Sequence, residues 1–357
     1  MPPFVQFVIR RFLVIPVSLL IITMVLYGGV MLTPPEARAT LYYPPRMNPN
    51  ITEERLRQFQ ETIIQQHHLR DPFLVQYGYW IGSLFDGTWS YSPTMHEFVL
   101  PALLKGTPIT LELALYSLLF LIPLGLASGV MAGWKRSGTF DRLFRGMAFV
   151  STSTPSFILA LVLLSTFYVQ LDWFAPGRIG FNYGAEISKD AFRQVTGMLT
   201  VDSLLNGRID IFWDACKHLV MPVFTLSLYH WATLGRIART SMINERHKEY
   251  VTAARARGVS ERRVVWHHAF HNMLSPSLTS IALSATSIIT GVFVVEIIFN
   301  FPGVSRVILS AMGGIPDAPA ALGFAVYSVF MVLLLMFFLD VLQAILDPRI
   351  RDGVLKT

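Results

Sequence analysis

One cysteine, Cys216, is all the thiol this chain carries, so an intrachain disulfide and a thiolate metal cluster are both excluded. Charge is scarce too. Asp, Glu, Lys and Arg make up 15% of the 357 residues, against about 25% in soluble domains. With 53% hydrophobic residues and a mean hydropathy of +0.49, that shortage excludes an ordinary soluble protein and places the chain in a membrane. The Gly-x4-Gly-Lys-Ser/Thr pattern that cradles phosphates is missing, as are internal repeats and low-complexity tracts. A net charge of +6 is the one feature that points toward nucleic acid, but the basic residues are scattered among long uncharged runs. Orientation in a lipid bilayer accounts for them better, and no nucleic-acid partner is expected.

What the chain does have is six uncharged runs near the length needed to cross about 30 Å of hydrocarbon, roughly 20 residues. They are Phe12 to Pro35, Leu113 to Trp134, Gly146 to Leu171, His218 to Gly235, Asn272 to Val295 and Ala318 to Leu339. The fourth is the shortest, and His218 and His230 blur its ends. The first is too long for a signal-peptide core and lacks a small-x-small cleavage pattern, so it is expected to be a retained helix. With the N-terminus inside, 17 of the 29 Lys and Arg fall on the inner side. Both termini are therefore expected in the cytoplasm.

The expected fold is an all-α membrane protein of six transmembrane helices. Its divisions are an N-terminal transmembrane helix (1–35), an extracytoplasmic domain after helix 1 (36–109), a five-helix core (110–345) and a cytoplasmic tail (346–357). In the extracytoplasmic domain, "ITEERLRQFQETIIQQ" reads as an amphipathic helix capped by Thr52, with Leu56, Phe59 and Ile63 on one face. That face suits the membrane surface, a partner or its own loop.

Between helices 4 and 5 lies a basic cytoplasmic loop, 236–271. Tyr250 to Arg257 favours a helix, Gly258 ends it, and Ser260 with Glu261 starts a second short helix through Asn272. Positive-inside charge explains the arginines but not the Ala253-Ala254-x-x-x-Gly258 spacing. Small residues there leave the first helix thin enough for another protein's backbone to approach. Elsewhere, Glu112, Glu296 and Asp340 are the ionisable residues that a proton- or ion-coupled carrier or channel would use, yet each lies at or near an expected helix end, where pairing with interfacial groups is the plainer reading. Pro155 and Pro123 are expected to kink their helices near a path. A membrane-anchored structural or sensory protein needs one or two spans rather than six.

"EYVTAARARGVSERRVVWHHAFHNMLSP" resembles the EAA loop of binding-protein-dependent ABC importer permeases, in the oligopeptide/dipeptide/nickel subfamily. Thr252 stands where the motif's Glu would be, and the closing Leu-Pro is displaced to Ser275-Pro276. "DPFLVQYGYWIGSLFDGTWSYS", "STPSFILALVLL", "HLVMPVFTLSL", "EIIFNFPGVSR" and "LDPRIR" extend the likeness to the subfamily's first permease subunit type. The resemblance implies a non-enzymatic permease of an ATP-driven importer, most often for di- or oligopeptides, in a prokaryotic inner membrane. Its implied partners are a second permease subunit, two ATPase subunits that bind ATP and Mg, an extracytoplasmic substrate-binding protein and the lipid membrane. No cofactor or metal is expected in this chain. The implied coupling residues are Glu249, Tyr250, Ala253, Ala254, Arg257, Gly258, Ser260 and Arg262 in a coupling helix and its turn. Pro155, Glu296, Pro302 and Gly303 are expected on the translocation path or its gate.

Overall fold

The computed structural model describes residues 3–42, 52–87, 89–187, 192–313 and 317–346. The expected tail lies outside them beyond Leu346. The regular structure of the described residues is helical apart from a two-residue antiparallel ladder, β1 (Tyr91–Ser92) with β2 (Glu97–Phe98). It is an all-α membrane protein. Four helical stretches are long and apolar enough to span a bilayer: Phe4–Met31, Val99–Trp134, Glu261–Ile298 and Ala318–Ile345. A fifth is added if one bent pair, Thr139–Ser153 with Ser156–Gln170, counts as a single span.

The chain divides into two compact units. One comprises residues 8–107 and 303–334. It holds most of α1 (Pro3–Met31), α2 (Pro35–Ala39), α3 (Glu53–Gln66), α4 (Phe73–Phe85), the β1–β2 ladder, the start of α5 (Val99–Trp134), α14 (Ser305–Ala311) and the first half of α15 (Ala318–Leu346). Of the surfaces open to α3, its own segment takes the apolar face: Ile63 and Ile64 are buried with Ala39 and Leu69, and Phe59 packs beside them. Thr52 does occupy the N-cap position, but its hydroxyl makes no cap bond.

The second unit comprises residues 1–7, 108–302 and 335–357. Within it lie the rest of α5, α6 (Thr139–Ser153), α7 (Ser156–Leu163), α8 (Phe181–Ile187), α9 (Leu199–Leu205), α10 (Ile209–Glu245), α11 (Glu249–Ala256), α12 (Glu261–Arg263) and α13 (Phe270–Ile298). Helices α5 and α10 meet backbone to backbone. A Cβ on Gly129 would stand 2.4 Å from the Gly235 carbonyl oxygen, and one on Gly133 would stand 2.5 Å from that of Arg239. Small residues spaced by four permit this approach, as in membrane helix pairs generally. A buried Asp141 on α6 then ties that helix to α10 by accepting two hydrogen bonds from Arg239, the longer at 3.0 Å.

Several expectations need correction. The run from Gly146 to Leu171 is two helical segments bent by 100°. Thr154, forced out of the helical region by the ring of Pro155, sits at φ −97°, ψ 116°. Beyond α7 the helix continues as π-helical turns through Gln170. The run from His218 to Gly235 is the centre of the 37-residue α10, which is not among the stretches apolar enough to qualify as a span. Its buried face carries His218, Thr225 and Ser227, so protein rather than lipid surrounds much of it. The second helix of the basic loop does not end at Asn272. From Glu261 it widens into a π-helical turn over Val264–Ala269 and continues as α13, giving one 38-residue stretch. Nothing between Ser260 and Pro276 breaks a helix. Finally, α5 starts at Val99, so Glu112 lies well inside it rather than at its end.

Candidate functional site

The basic loop folds back on the membrane helices from which it emerges. Val251, Ala254 and Val264 form a small buried cluster, with Trp134, Tyr250 and Val259 packed around it. Because α11 turns every 3.6 residues, burying 251 and 254 leaves the opposite side free. Glu249, Ala253 and Arg257 recur every fourth position on that exposed side. Tyr250 is half-buried, and its hydroxyl donates to Glu245 Oε2 at 2.6 Å. Burial, then this bond, pushes its phenol up to about 12, so it stays a donor throughout the physiological range.

Gly258 closes the helix at φ +77°. Its amide donates to the Arg255 carbonyl at 2.9 Å and that of Val259 to the Ala254 carbonyl at 3.2 Å, which satisfies carbonyls that the helix end would otherwise orphan. Arg255 spans the turn, donating to Glu261 at 2.8 Å while its guanidinium lies 5.1 Å above the Trp134 ring. Ser260 sits at the next N-cap but forms no side-chain cap. Of the eight expected coupling residues, Glu249, Ala253, Arg257, Gly258, Ser260 and Arg262 are exposed together, whereas Ala254 turns inward with 1% exposure.

Pro155 lines a cavity of about 320 Å³ at the bend between α6 and α7, closed by α10 and α13. Thr152, Thr154, Thr225, Ser287 and His230 share that lining, and none of the residues around it is Asp, Glu, Lys or Arg. The three threonine hydroxyls donate to carbonyls of their own helices, Ala148, Val150 and Met221, at 3.0, 2.9 and 2.8 Å. Their oxygens are left as acceptors. The cavity can therefore take weak hydrogen bonds from N–H groups without holding a charge.

The other expected path residues lie elsewhere. Glu296 is fully buried near the end of α13 and accepts from the Thr110 hydroxyl. Pro302 is exposed; Gly303 is buried where a Cβ on Gly106 would come within 2.7 Å of its backbone. Glu112 is also engaged, accepting from Thr200 N at 2.7 Å, the Thr200 hydroxyl at 2.6 Å and Arg178 at 2.9 Å. In the sequence His230 only blurs a helix end, and nothing in its spacing groups it with the hydroxyls. The Ser-Thr-Ser-Thr-Pro-Ser run at 151–156 was the available signal.

Residues 122–352 match the protein family described as binding-protein-dependent transport system inner membrane component. The chain is similar to the Di/tripeptide transport system permease protein DppB of Pseudomonas aeruginosa, with 30% identity covering 97% of this chain and 98% of the relative. It is 32% identical to the Probable D,D-dipeptide transport system permease protein DdpB of Escherichia coli, over 82% and 84% of the two chains. The Dipeptide transport system permease protein DppB of Alkalihalophilus pseudofirmus is 27% identical, over 97% and 99%.

Proposed function

The chain belongs to the binding-protein-dependent transport system inner membrane components, and from that premise we propose that it is a permease subunit of an ATP-driven importer of di- or oligopeptides. The observation that carries this reading is the exposed face of α11. It is thin, rimmed by Glu249, Arg257 and Arg262, and joined through the Gly258 turn to a helix that continues without interruption into the span ending at Ile298. A partner that grips α11 moves α13 with it. Rigid elements of this kind convert closure at one face into rearrangement at the other.

In this reading two ATPase subunits bind ATP and Mg and dock on α11 and its counterpart in a second permease subunit, and an extracytoplasmic protein delivers the cargo. Six crossings are assigned to α1, α5, the bent α6–α7 pair, α10, α13 and α15, with both termini in the cytoplasm. Residues 36–109 then form an extracytoplasmic domain, 110–345 the core and 346–357 the inner tail. The cavity at Pro155 lies on the path, its hydroxyl acceptors making brief contacts with peptide N–H groups. Peptide cargo is supported by the names of the relatives and by this absence of fixed charge. Glu296, Pro302 and Gly303 are assigned to the gate at the far end of α13.

A secondary carrier is disfavoured because Glu112 and Glu296, two of its three candidate ionisable residues beside Asp340, are committed to hydrogen bonds. The deciding experiment is dipeptide uptake into proteoliposomes holding the assembled transporter. Uptake that requires enclosed ATP and the binding protein, and ignores a proton or sodium gradient, is the expected result. Uptake driven by an ion gradient without ATP would overturn it.

A further inference from the structure

A cavity with aromatic and polar residues in its lining lies in the unit built from residues 8–107 and 303–334, and nothing in the importer reading uses it. It measures about 630 Å³, well within the range of small-ligand sites. Its rim includes the last turns of α1, at Tyr27 and Val30, and the first turns of α15, at Ala318 and Leu322. Both helices are apolar enough to span the membrane, so the mouth sits at the depth where hydrocarbon gives way to headgroups.

Arg38 forms part of the cavity wall although only 4% of it is exposed. Its acceptors are neutral: Gln76 Oε1 and the Leu69 carbonyl, each at 2.7 Å, with the Met31 sulfur at 3.6 Å. Its Nε is buried with no acceptor. No carboxylate among the described residues comes within ion-pair distance of it; Glu36, two positions earlier, is exposed and pairs with Arg70 at 3.4 Å. The sequence from 43 to 51 that follows Tyr42 contains no Asp or Glu. A guanidinium sequestered from water without a counter-charge is costly. Glu36 acts on it only at longer range, so among the described residues no anion touches the guanidinium, and the cavity gives one from outside an approach.

The walls show what kind of anion fits. Tyr42 stacks on His67 with centroids 3.9 Å apart, His68 on Tyr79 at 4.9 Å and Tyr27 on Trp80 at 5.0 Å. Tyr and Trp with Arg at the end of a membrane helix is the chemistry of the headgroup layer. Arg is also the side chain whose planar fork matches phosphate. On α1 itself, Ile21 and Val25 are 57% and 70% exposed, an apolar flank along which acyl chains can lie.

We propose that this cavity binds a phospholipid, its phosphodiester on Arg38 and its glycerol region between the stacked aromatic pairs. The assembled transporter is purified in detergent, washed to remove annular lipid, and probed by native mass spectrometry with added phosphatidylglycerol. One strongly held lipid per copy of this chain, whose occupancy falls about tenfold in Arg38→Met as expected for loss of one charge-assisted pair, is the expected result. Tyr79→Ser is the companion variant: that ring is 61% exposed, its loss does not threaten folding, and it should weaken retention several-fold. A thermal-shift series separates the sources of phosphate and the classes of ligand. Phosphatidylglycerol should stabilise the wild type, whereas inorganic phosphate or a dipeptide at the same concentration should not. No lipid above the annular background, equal retention in a folded Arg38→Met protein or in Tyr79→Ser, or protection by phosphate or dipeptide alone would each overturn the assignment.

Discussion

Ala253 and Ala254 are adjacent, yet α11 leaves one exposed and encloses the other with Val251 and Val264. A bulky side chain therefore means different things at the two positions. Ala254→Trp overfills a packed cluster that includes Trp134 at the end of α5, at a cost of about 1–3 kcal/mol or more, and should lower the amount of protein in the membrane. Ala253→Trp adds volume only outside. It should leave abundance unchanged while cutting recovery of the ATPases in a detergent pull-down and abolishing uptake. Loss of abundance in Ala253→Trp, or normal ATPase recovery, would sink the assignment of the α11 face. Gly258 adds a second residue-scale test, because its Cβ space is open and only its positive φ resists substitution. Gly258→Ala should cost about 1 kcal/mol. Its uptake should be impaired less than that of Ala253→Trp.

At the scale of elements, the bend at Thr154–Pro155 sets the polar cavity, since it is what brings the hydroxyls of α6 to face α10 and α13. Pro155→Ala removes the ring that keeps Thr154 extended. Uptake should fall while ATPase recovery stays normal, the reverse of the Ala253→Trp pattern; unimpaired uptake would separate the bend from the path. How much of this was legible beforehand follows from what each signal depends on. The spans α1, α5, α13 and α15 were visible because lipid contact demands an unbroken apolar run. Pro155 was visible as a kink, but a dipeptide does not encode an angle of 100°. The helix end at Gly258 could be read because glycine tolerates positive φ. The inward turn of Ala254 could not, because it depends on Val264 and Trp134, distant in sequence. Arg38 is one more scattered basic residue in the sequence, and only its burial with no carboxylate in pairing distance among the described residues distinguishes it.

At the scale of the whole molecule, the number of crossings decides on which side the chain ends, and α10 is the element on which that number turns. Its 37 residues are ample to cross, but it fails the apolarity expected of a lipid-facing helix. That failure has a physical explanation. Gly125, Gly129 and Gly133 bring α5 against its Leu234, Gly235 and Arg239, and Asp141 neutralises Arg239, so protein contacts satisfy polar groups that lipid could not. If α10 crosses, the chain passes the membrane six times and its ends share a side. Omitting it makes five crossings and puts them apart. The Lys and Arg distribution favours the first arrangement, with 17 of 29 on the inner side. A reporter fused after Lys356 should accordingly behave as cytoplasmic and one inserted near Asn50 as external. Both reporters on one side would mean that α10, or another assigned span, does not cross. If that span is α10, the α11 face would have to be sought on the opposite side from any ATPase.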